Sequence, residues 1–161
     1  MNAAIASPKI ASTGLLGRAA ILYIAWSLMA ATVAIARDLP AEFAGFTSQL
    51  SVTEEFVYGM GTALSPPLYW LAVLAILVAL LGRADVWGKV AAGGLALSGL
   101  VTAIGAAGEP ITLRALAPAT FDPMLVAIQA GMILIPVAMA VLGWRELRRR
   151  GSRGRTPGMR L

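Results

Sequence analysis

The sequence predicts an all-α integral membrane protein: a four-helix bundle with both termini in the cytoplasm and a short interfacial helix allowed in the first outer loop. Of its 161 residues, 58% are hydrophobic and 13% are charged, against roughly 25% charged residues in soluble domains. Four apolar runs contain no Asp, Glu, Lys or Arg. At ~1.5 Å per residue, ~20 helical residues cross the ~30 Å hydrocarbon layer. The predicted spans are 19–36, 60–81, 90–107 and 124–144.

A helical rather than a barrel architecture follows from the pattern within these runs. The bilayer core offers no water to backbone groups, so a spanning segment is a helix or part of a closed barrel. Barrel strands alternate polar and apolar residues over ~10 positions, and these runs do not alternate. We therefore divide the chain into a cytoplasmic leader (1–17), a membrane domain (18–145) and an Arg-rich cytoplasmic tail (146–161).

The distribution of basic residues predicts the orientation. Of the 13 Lys and Arg residues, all but Arg37 and Arg114 lie in the N-terminal segment, the second loop or the C-terminal tail. Short loops on the cytoplasmic side of a membrane are enriched in Lys and Arg. Both termini are therefore predicted to be cytoplasmic, in a cell inner membrane. The prevalence of Arg, Ala and Gly indicates, weakly, a bacterial source.

The first apolar run has a second interpretation. Lys9 and Arg18 precede it and Ala-Ile-Ala closes it, a pattern also typical of a cleavable signal peptide. Cleavage would leave three spans in the same orientation. The run exceeds the ~7–15 residues of a usual signal-peptide core, which favours an uncleaved first span.

The first outer loop contains a helix-start signal. Ser51 and Glu54 have the spacing of a capping box, in which the hydroxyl and the carboxylate each bond a backbone amide of the other residue. A helix is predicted to begin near Val52 and to run along the membrane interface into the second span. Its acidic residues Glu54 and Glu55 are candidate ligand or partner contacts.

The second span contains Pro66 and Pro67, which interrupt helical hydrogen bonding. A helix from Pro66 to Leu81 would cover only ~24 Å, which favours one continuous, kinked helix over 60–81. The alternative is a membrane helix that begins at Pro66 after a short surface helix. A kink at this position is either only a structural bend, or it opens a cavity that takes part in function.

The third span is rich in small residues. Gly94, Ser98 and Thr102 recur every four positions, and small residues let membrane helices approach closely. This spacing predicts a central helix or, alternatively, an oligomer contact.

The third outer loop and the fourth span carry the remaining polar candidates. Asp122 followed by Pro123 is a helix-start signal. Gln129 lies within the span and is expected to hydrogen-bond another helix. Glu109 marks the end of the third span and is a candidate to pair with Arg114 in the loop.

The tail begins with a basic cluster beside the fourth span. Such a cluster attracts anionic lipid; a cytoplasmic protein partner is the alternative, and nucleic-acid binding is not expected because no aromatic platform accompanies the charge. The predicted lipid contacts are Arg145, Arg148, Arg149 and Arg150.

The chain has no Cys and no His, which removes thiol and imidazole chemistry and the usual zinc and haem ligands. No catalytic, cofactor or metal site is predicted. The lead hypothesis is a non-enzymatic accessory, assembly or stabilising subunit of a larger membrane complex. Its predicted protein partners are other membrane subunits or further copies of itself. The alternative is a small oligomeric transporter or receptor for a hydrophobic or cationic solute. A lipid-directed enzyme using Glu54, Glu55, Glu109 and Arg114 is the third hypothesis.

Overall fold

The computed structural model describes residues 14–42 and 49–153. Within these ranges the chain forms six α-helices and no strands, which confirms the predicted all-α class. The part of the predicted leader before residue 14 and the part of the tail after residue 153 lie outside the described residues. The helices are α1 (Leu15–Ala36), α2 (Val52–Tyr58), α3 (Leu68–Leu81), α4 (Val86–Gly108), α5 (Pro110–Leu116) and α6 (Pro123–Arg153).

Three helices, α1, α4 and α6, are long and apolar enough to cross a membrane, as expected of a membrane protein. The first helix begins at Leu15, inside the predicted leader, and α6 continues from Trp144 to Arg153, inside the predicted tail. The apolar helix α3 has only 14 residues, which is ~21 Å of helical rise. It is therefore shorter than the hydrocarbon layer.

The prediction of one continuous helix over 60–81 is wrong. Residues 59–67, here called the link, are not helical, and α3 begins only at Leu68. Gly61 has a φ of 103°, which a helix does not accommodate. The amide of Thr62 donates to the carbonyl of Ser65 over 2.8 Å, and the amide of Ser65 donates back over 3.3 Å. Local pairing thus replaces the helical hydrogen bonds that the two prolines cannot make.

The link is largely buried and is held by hydrogen bonds from two other parts of the chain. Its residues from Thr62 to Ser65 are all buried. From the chain after α1, the carbonyl of Leu39 accepts the amide of Ala63 over 3.2 Å; from α6, the side-chain nitrogen of Gln129 donates to the Ala63 carbonyl over 3.2 Å. Irregular backbone is tolerated at membrane depth where protein covers it, and the link meets that condition.

The capping box at α2 is confirmed. The hydroxyl of Ser51 accepts the Glu54 amide, and the Glu54 carboxylate accepts the Ser51 amide over 2.9 Å, so the helix begins at Val52 as predicted. Glu55 is buried, and its carboxylate accepts the amide of Met60 over 2.9 Å. A Cβ on Gly59 would lie 2.1 Å from that carboxylate. The turn from α2 into the link therefore requires glycine at 59.

Helices α4 and α6 form the most extensive contact between any two helices. The next most extensive pairs are α1 with α6, α3 with α4, and α1 with α3. A Cβ on Gly99 would lie 2.5 Å from the Pro136 carbonyl oxygen of α6, while one on Gly94 would lie 3.0 Å from a methyl of Leu77 in α3. The glycines of α4 thus allow α3 and α6 of the same chain to approach it closely on two faces, as expected for a central helix.

The start of α6 is tied to the end of α1. The carboxylate of Asp122 accepts the amides of Met124 and Leu125 over 2.9 and 3.1 Å, which confirms the predicted helix cap. The same carboxylate forms an ion pair with Arg37. These contacts place the connection that follows α1 beside the connection that precedes α6.

Candidate functional site

A cavity of about 240 Å³ lies between the link and helices α1, α3, α4 and α6. Tyr23 lines it from α1, Thr102 from α4 and Gln129 from α6, while Pro66 and Pro67 line it from the link. The prolines end the link and begin α3, so the break in the second apolar run forms one wall. The structure thus places the predicted crevice at the two prolines, but as the wall of a cavity beside a broken helix.

Four buried polar atoms in this cavity have no hydrogen-bond partner among the described residues. They are the hydroxyl of Tyr23, the indole nitrogen of Trp70, one carboxylate oxygen of Glu109 and the amide oxygen of Gln129. More than nine in ten buried polar groups in native proteins are satisfied, and leaving one unpaired costs ~1–3 kcal/mol. Four such atoms around one space provide hydrogen-bonding capacity for water or for a polar ligand.

Gln129 connects the cavity to the link. Its side chain is only 3% exposed, and its nitrogen bonds the Ala63 carbonyl, while the amide oxygen has no partner among the described residues. The predicted interhelical hydrogen bond is therefore made to the non-helical link instead of to a helix. Gln129 both holds the link and presents an acceptor.

Glu109 lies between α4 and α5 and lines the same cavity. Burial raises the pKa of its carboxyl; the negative charge of Glu42 adds to this effect, and a hydrogen bond from the backbone of Glu42 opposes it. One carboxylate oxygen remains without a partner. The site therefore holds an acid for which the described residues supply no ion-pair partner.

The predicted pairing of Glu109 with Arg114 is wrong. The guanidinium of Arg114 instead binds both carboxylate oxygens of Glu42, over 3.0 and 2.7 Å. Glu109 caps α5 and Arg114 follows five positions later, whereas residues three or four positions apart share a helix face. Arg114 therefore turns outward to Glu42 and leaves Glu109 to the cavity.

The other predicted acidic contacts lie elsewhere. Glu54 is engaged in the capping box, Glu55 bonds the amide of Met60, and neither lines the cavity. The cluster of Glu54, Glu55, Glu109 and Arg114 that a lipid-directed enzyme would use is therefore not assembled there. Among residues 14–42 and 49–153, no group of three His, Cys, Asp or Glu side chains is placed to hold a metal ion.

The cavity reaches the outer surface of the helices between the link, α3 and α4. Met60, Tyr69 and Val101 line it and are each more than half exposed. These side chains are large and mostly apolar, so the rim suits contact with lipid. The opening thus lies at the side of the helices.

Tyr23 and Trp70 line the cavity but are not among the ligand contacts predicted from the sequence. The hydroxyls of Ser27 and Thr102 lie close enough to interact with the Tyr23 hydroxyl, although they donate their own protons to the Met132 sulfur and to backbone carbonyls of α4. A tyrosine hydroxyl inside a predicted span is the available signal, because such a group needs a partner when it is buried.

The basic cluster at the end of α6 divides into two kinds of residue. Arg150 donates to the carbonyls of Arg83 and Leu81 over 2.8 and 2.9 Å, so it closes the end of α3 and is not free for lipid. Arg148 stacks 5.2 Å from the ring centre of Trp144, and Arg149 lies 3.7 Å from Glu146. Of the predicted contacts, Arg145, Arg148 and Arg149 are exposed, and binding to anionic lipid stays a prediction.

No protein-family model matches the chain, and neither does any curated protein or solved structure.

Proposed function

We propose that this protein is a receptor or carrier for a small hydrophobic or cationic solute, which binds in the cavity between the link and helices α1, α3, α4 and α6. The observation that supports this function is the set of four unpartnered polar atoms around a mostly apolar space. Ligand sites combine apolar walls with a few placed polar groups. The cavity has that composition.

The size of the cavity limits the solute. Drug-sized ligands occupy sites of ~300–1,000 Å³, and a cavity of ~150 Å³ accepts benzene. A volume of about 240 Å³ therefore suits a compact molecule with one or two rings or an equivalent aliphatic body.

We further propose that α1, α3, α4 and α6 form a four-helix membrane bundle in a bacterial inner membrane, with both termini cytoplasmic and α2 at the outer interface. Support comes from the basic residues on one side of the predicted spans. In this bundle α3 together with the buried link crosses the bilayer. Broken helices with unwound backbone beside a binding site recur in membrane carriers.

The accessory-subunit hypothesis has less support. It rests on the short loops, the absence of charges within the predicted spans and the small-residue faces of the third span, and α3 and α6 of the same chain fill the space beside two small residues of that helix, Gly94 and Gly99. No other feature of the described residues identifies a protein partner. We therefore rank solute binding first.

A pair of glycine variants tests the proposed function. A Cβ at Gly105 or at Gly108 would meet no atom within 4 Å, but only Gly105 lines the cavity. We expect Gly105→Leu to fill part of the cavity and to weaken binding of a neutral probe, 2-naphthylmethanol, by about tenfold or more, a loss of ~1.4 kcal/mol. Gly108→Leu should bind as the wild type does.

Binding is measured by calorimetry on the full chain in nanodiscs, after subtraction of the signal from empty nanodiscs. Circular dichroism confirms that both variants are folded. Equal affinities for Gly105→Leu and Gly108→Leu would show that the probe does not occupy this cavity. Absence of any binding above empty nanodiscs would also contradict the proposal.

A further inference from the structure

We infer that the solute is an amphiphilic amine whose ammonium group pairs with Glu109 and whose apolar body lies deeper in the cavity, with access from the bilayer between α3 and α4. This inference depends on the proposed function and specifies the chemistry of its ligand. Three features of the site carry it: the charge of the lining, the order of polar groups along the cavity, and the position of the opening.

The lining carries one acidic side chain and no basic one. Glu109 supplies the carboxylate, and no Lys or Arg is among the lining residues. Arg114, which lines the small adjoining space together with Glu109, is bound through two hydrogen bonds to Glu42. An ammonium group would therefore find an unpaired carboxylate and no repulsive neighbour within the cavity, whereas an anionic solute would meet the charge of Glu109.

The acceptors that face the cavity also suit a donor group. The unpartnered oxygens of Glu109 and Gln129 both accept hydrogen bonds, and an ammonium group has three protons to donate. A hydrogen bond to a charged group contributes ~1.5–3 kcal/mol. A neutral hydroxyl on the same body would gain less, because it donates one proton and carries no charge.

The body of the solute is directed inward. Thr102 precedes Glu109 by seven positions, so by helical rise the cavity extends ~10 Å along α4 below the carboxylate. Over that depth the walls include Val101, Ala106 and Met132. A charged head at the end of α4 with an apolar body toward Met132 matches this order.

The opening favours access from lipid. Met60, Tyr69 and Val101 border the cavity and are exposed on the side of the helices. An amphiphilic amine partitions into the membrane interface, where its head lies at the level of Glu109. It can then move sideways past these side chains.

The inference also implies a dependence on pH. Burial raises the pKa of the Glu109 carboxyl, and the neighbouring charge of Glu42 raises it further. The charged groups beside Glu109 are Glu42 and Arg114, which line the small adjoining space; Tyr23 is in the main cavity. Because the ammonium pairs with the ionised carboxylate, amine binding should weaken as the pH falls through the pKa of Glu109.

A matched pair of probes tests the inference. The probes are 2-naphthylmethylamine and 2-naphthylmethanol, which share one body and differ in the head group. In wild-type protein in nanodiscs we expect the amine to bind roughly 10- to 100-fold more tightly, as one charge-assisted hydrogen bond of ~1.5–3 kcal/mol implies. Glu109→Gln should reduce this ratio to about one while leaving the affinity for the alcohol within about twofold.

Asp38→Asn is the control variant. It removes another carboxylate near the predicted outer side, and Asp38 has a φ of 51°, a conformation that asparagine tolerates equally well. We expect it to keep the wild-type preference for the amine. If Asp38→Asn lost the preference as Glu109→Gln does, general surface charge would explain it and the inference would be refuted.

The two proposals fail in different ways. If both probes bound the wild type equally and Gly105→Leu weakened both, the cavity would be a binding site without recognition of an amine, and only the inference would fail. An amine preference that persisted in Glu109→Gln would overturn the inference too. If neither probe responded to Gly105→Leu, the proposed function itself would fail.

Discussion

The close approach of α4 and α6 predicts a strong effect of a single methyl group at Gly99. A Cβ at this position would lie 2.5 Å from the carbonyl oxygen of Pro136 and 2.8 Å from the amide nitrogen of Ala140. Carbon and oxygen atoms in close contact normally stay ~3.3–3.6 Å apart. Gly99→Ala therefore requires the two helices to separate by roughly 1 Å at their crossing.

The cost of this separation follows from the atoms involved. Both contacts are to backbone atoms, so no rotation of a side chain relieves them. Insertion of a methyl group into a packed core costs ~1–3 kcal/mol, and membrane helices depend on close backbone approach for their association. Because α4 with α6 is the most extensive helix pair, we expect a loss of ~2–3 kcal/mol in the free energy of unfolding.

The assay is reversible unfolding in mixed detergent micelles, followed by circular dichroism. Gly105→Ala is the matched control, because it lies on the same helix and its Cβ would meet no atom within 4 Å. We expect this control to unfold within ~0.5 kcal/mol of the wild type, as substitutions away from packed contacts do. Equal stability of Gly99→Ala and Gly105→Ala would refute the proposed geometry of the helix crossing.

Two further predictions concern the ends of the helices. Arg150→Ala should lower the free energy of unfolding by ~2 kcal/mol, because the largely buried guanidinium of Arg150 bonds two carbonyls at the end of α3. The side chain of Arg149 is 72% exposed, so Arg149→Ala should change the free energy of unfolding by less than ~0.5 kcal/mol. Equal effects of the two substitutions in the same unfolding assay would contradict the role of Arg150. Asp122→Asn tests the ion pair between Asp122 and Arg37. Hydrogen bonds from the Arg37 side chain and from the Leu125 amide lower the pKa of the Asp122 carboxyl. A lowered pKa stabilises the fold above the ordinary pKa of aspartate, ~3.9, and this stabilisation is lost as the pH falls through the lowered value. The wild type should therefore be more stable than Asp122→Asn at pH 6, and the difference between their unfolding midpoints should shrink as the pH falls. A difference that stayed constant on acidification would contradict the stabilising role of the Asp122–Arg37 pair.

Local signals predicted the helix ends well. The capping box at Ser51 and the cap at Asp122 are both present, because each depends on residues within three positions of one another. The long apolar runs likewise predicted α1, α4 and α6, since the absence of charge over some 20 residues is a property of the chain alone. These features required no knowledge of the neighbouring helices.

The path of the second apolar run was not predictable in the same way. Pro66 and Pro67 permit either a kinked helix or a break. The break is decided by contacts from distant residues, namely the hydrogen bonds of Ala63 with Leu39 and Gln129 and the positive φ of Gly61. A sequence pattern does not state which remote groups will satisfy freed backbone atoms.

The sequence by itself determined that the chain is all-helical, where α2 and α6 begin, and that its predicted spans carry no ionised side chains. Only the tertiary structure decided that Tyr23, Trp70, Glu109 and Gln129 face one cavity, and that Arg114 binds Glu42 instead of Glu109. The physical reason is the range of the interactions. Hydropathy and capping act within a helix, whereas a cavity exists only where several helices and a non-helical link enclose a common space.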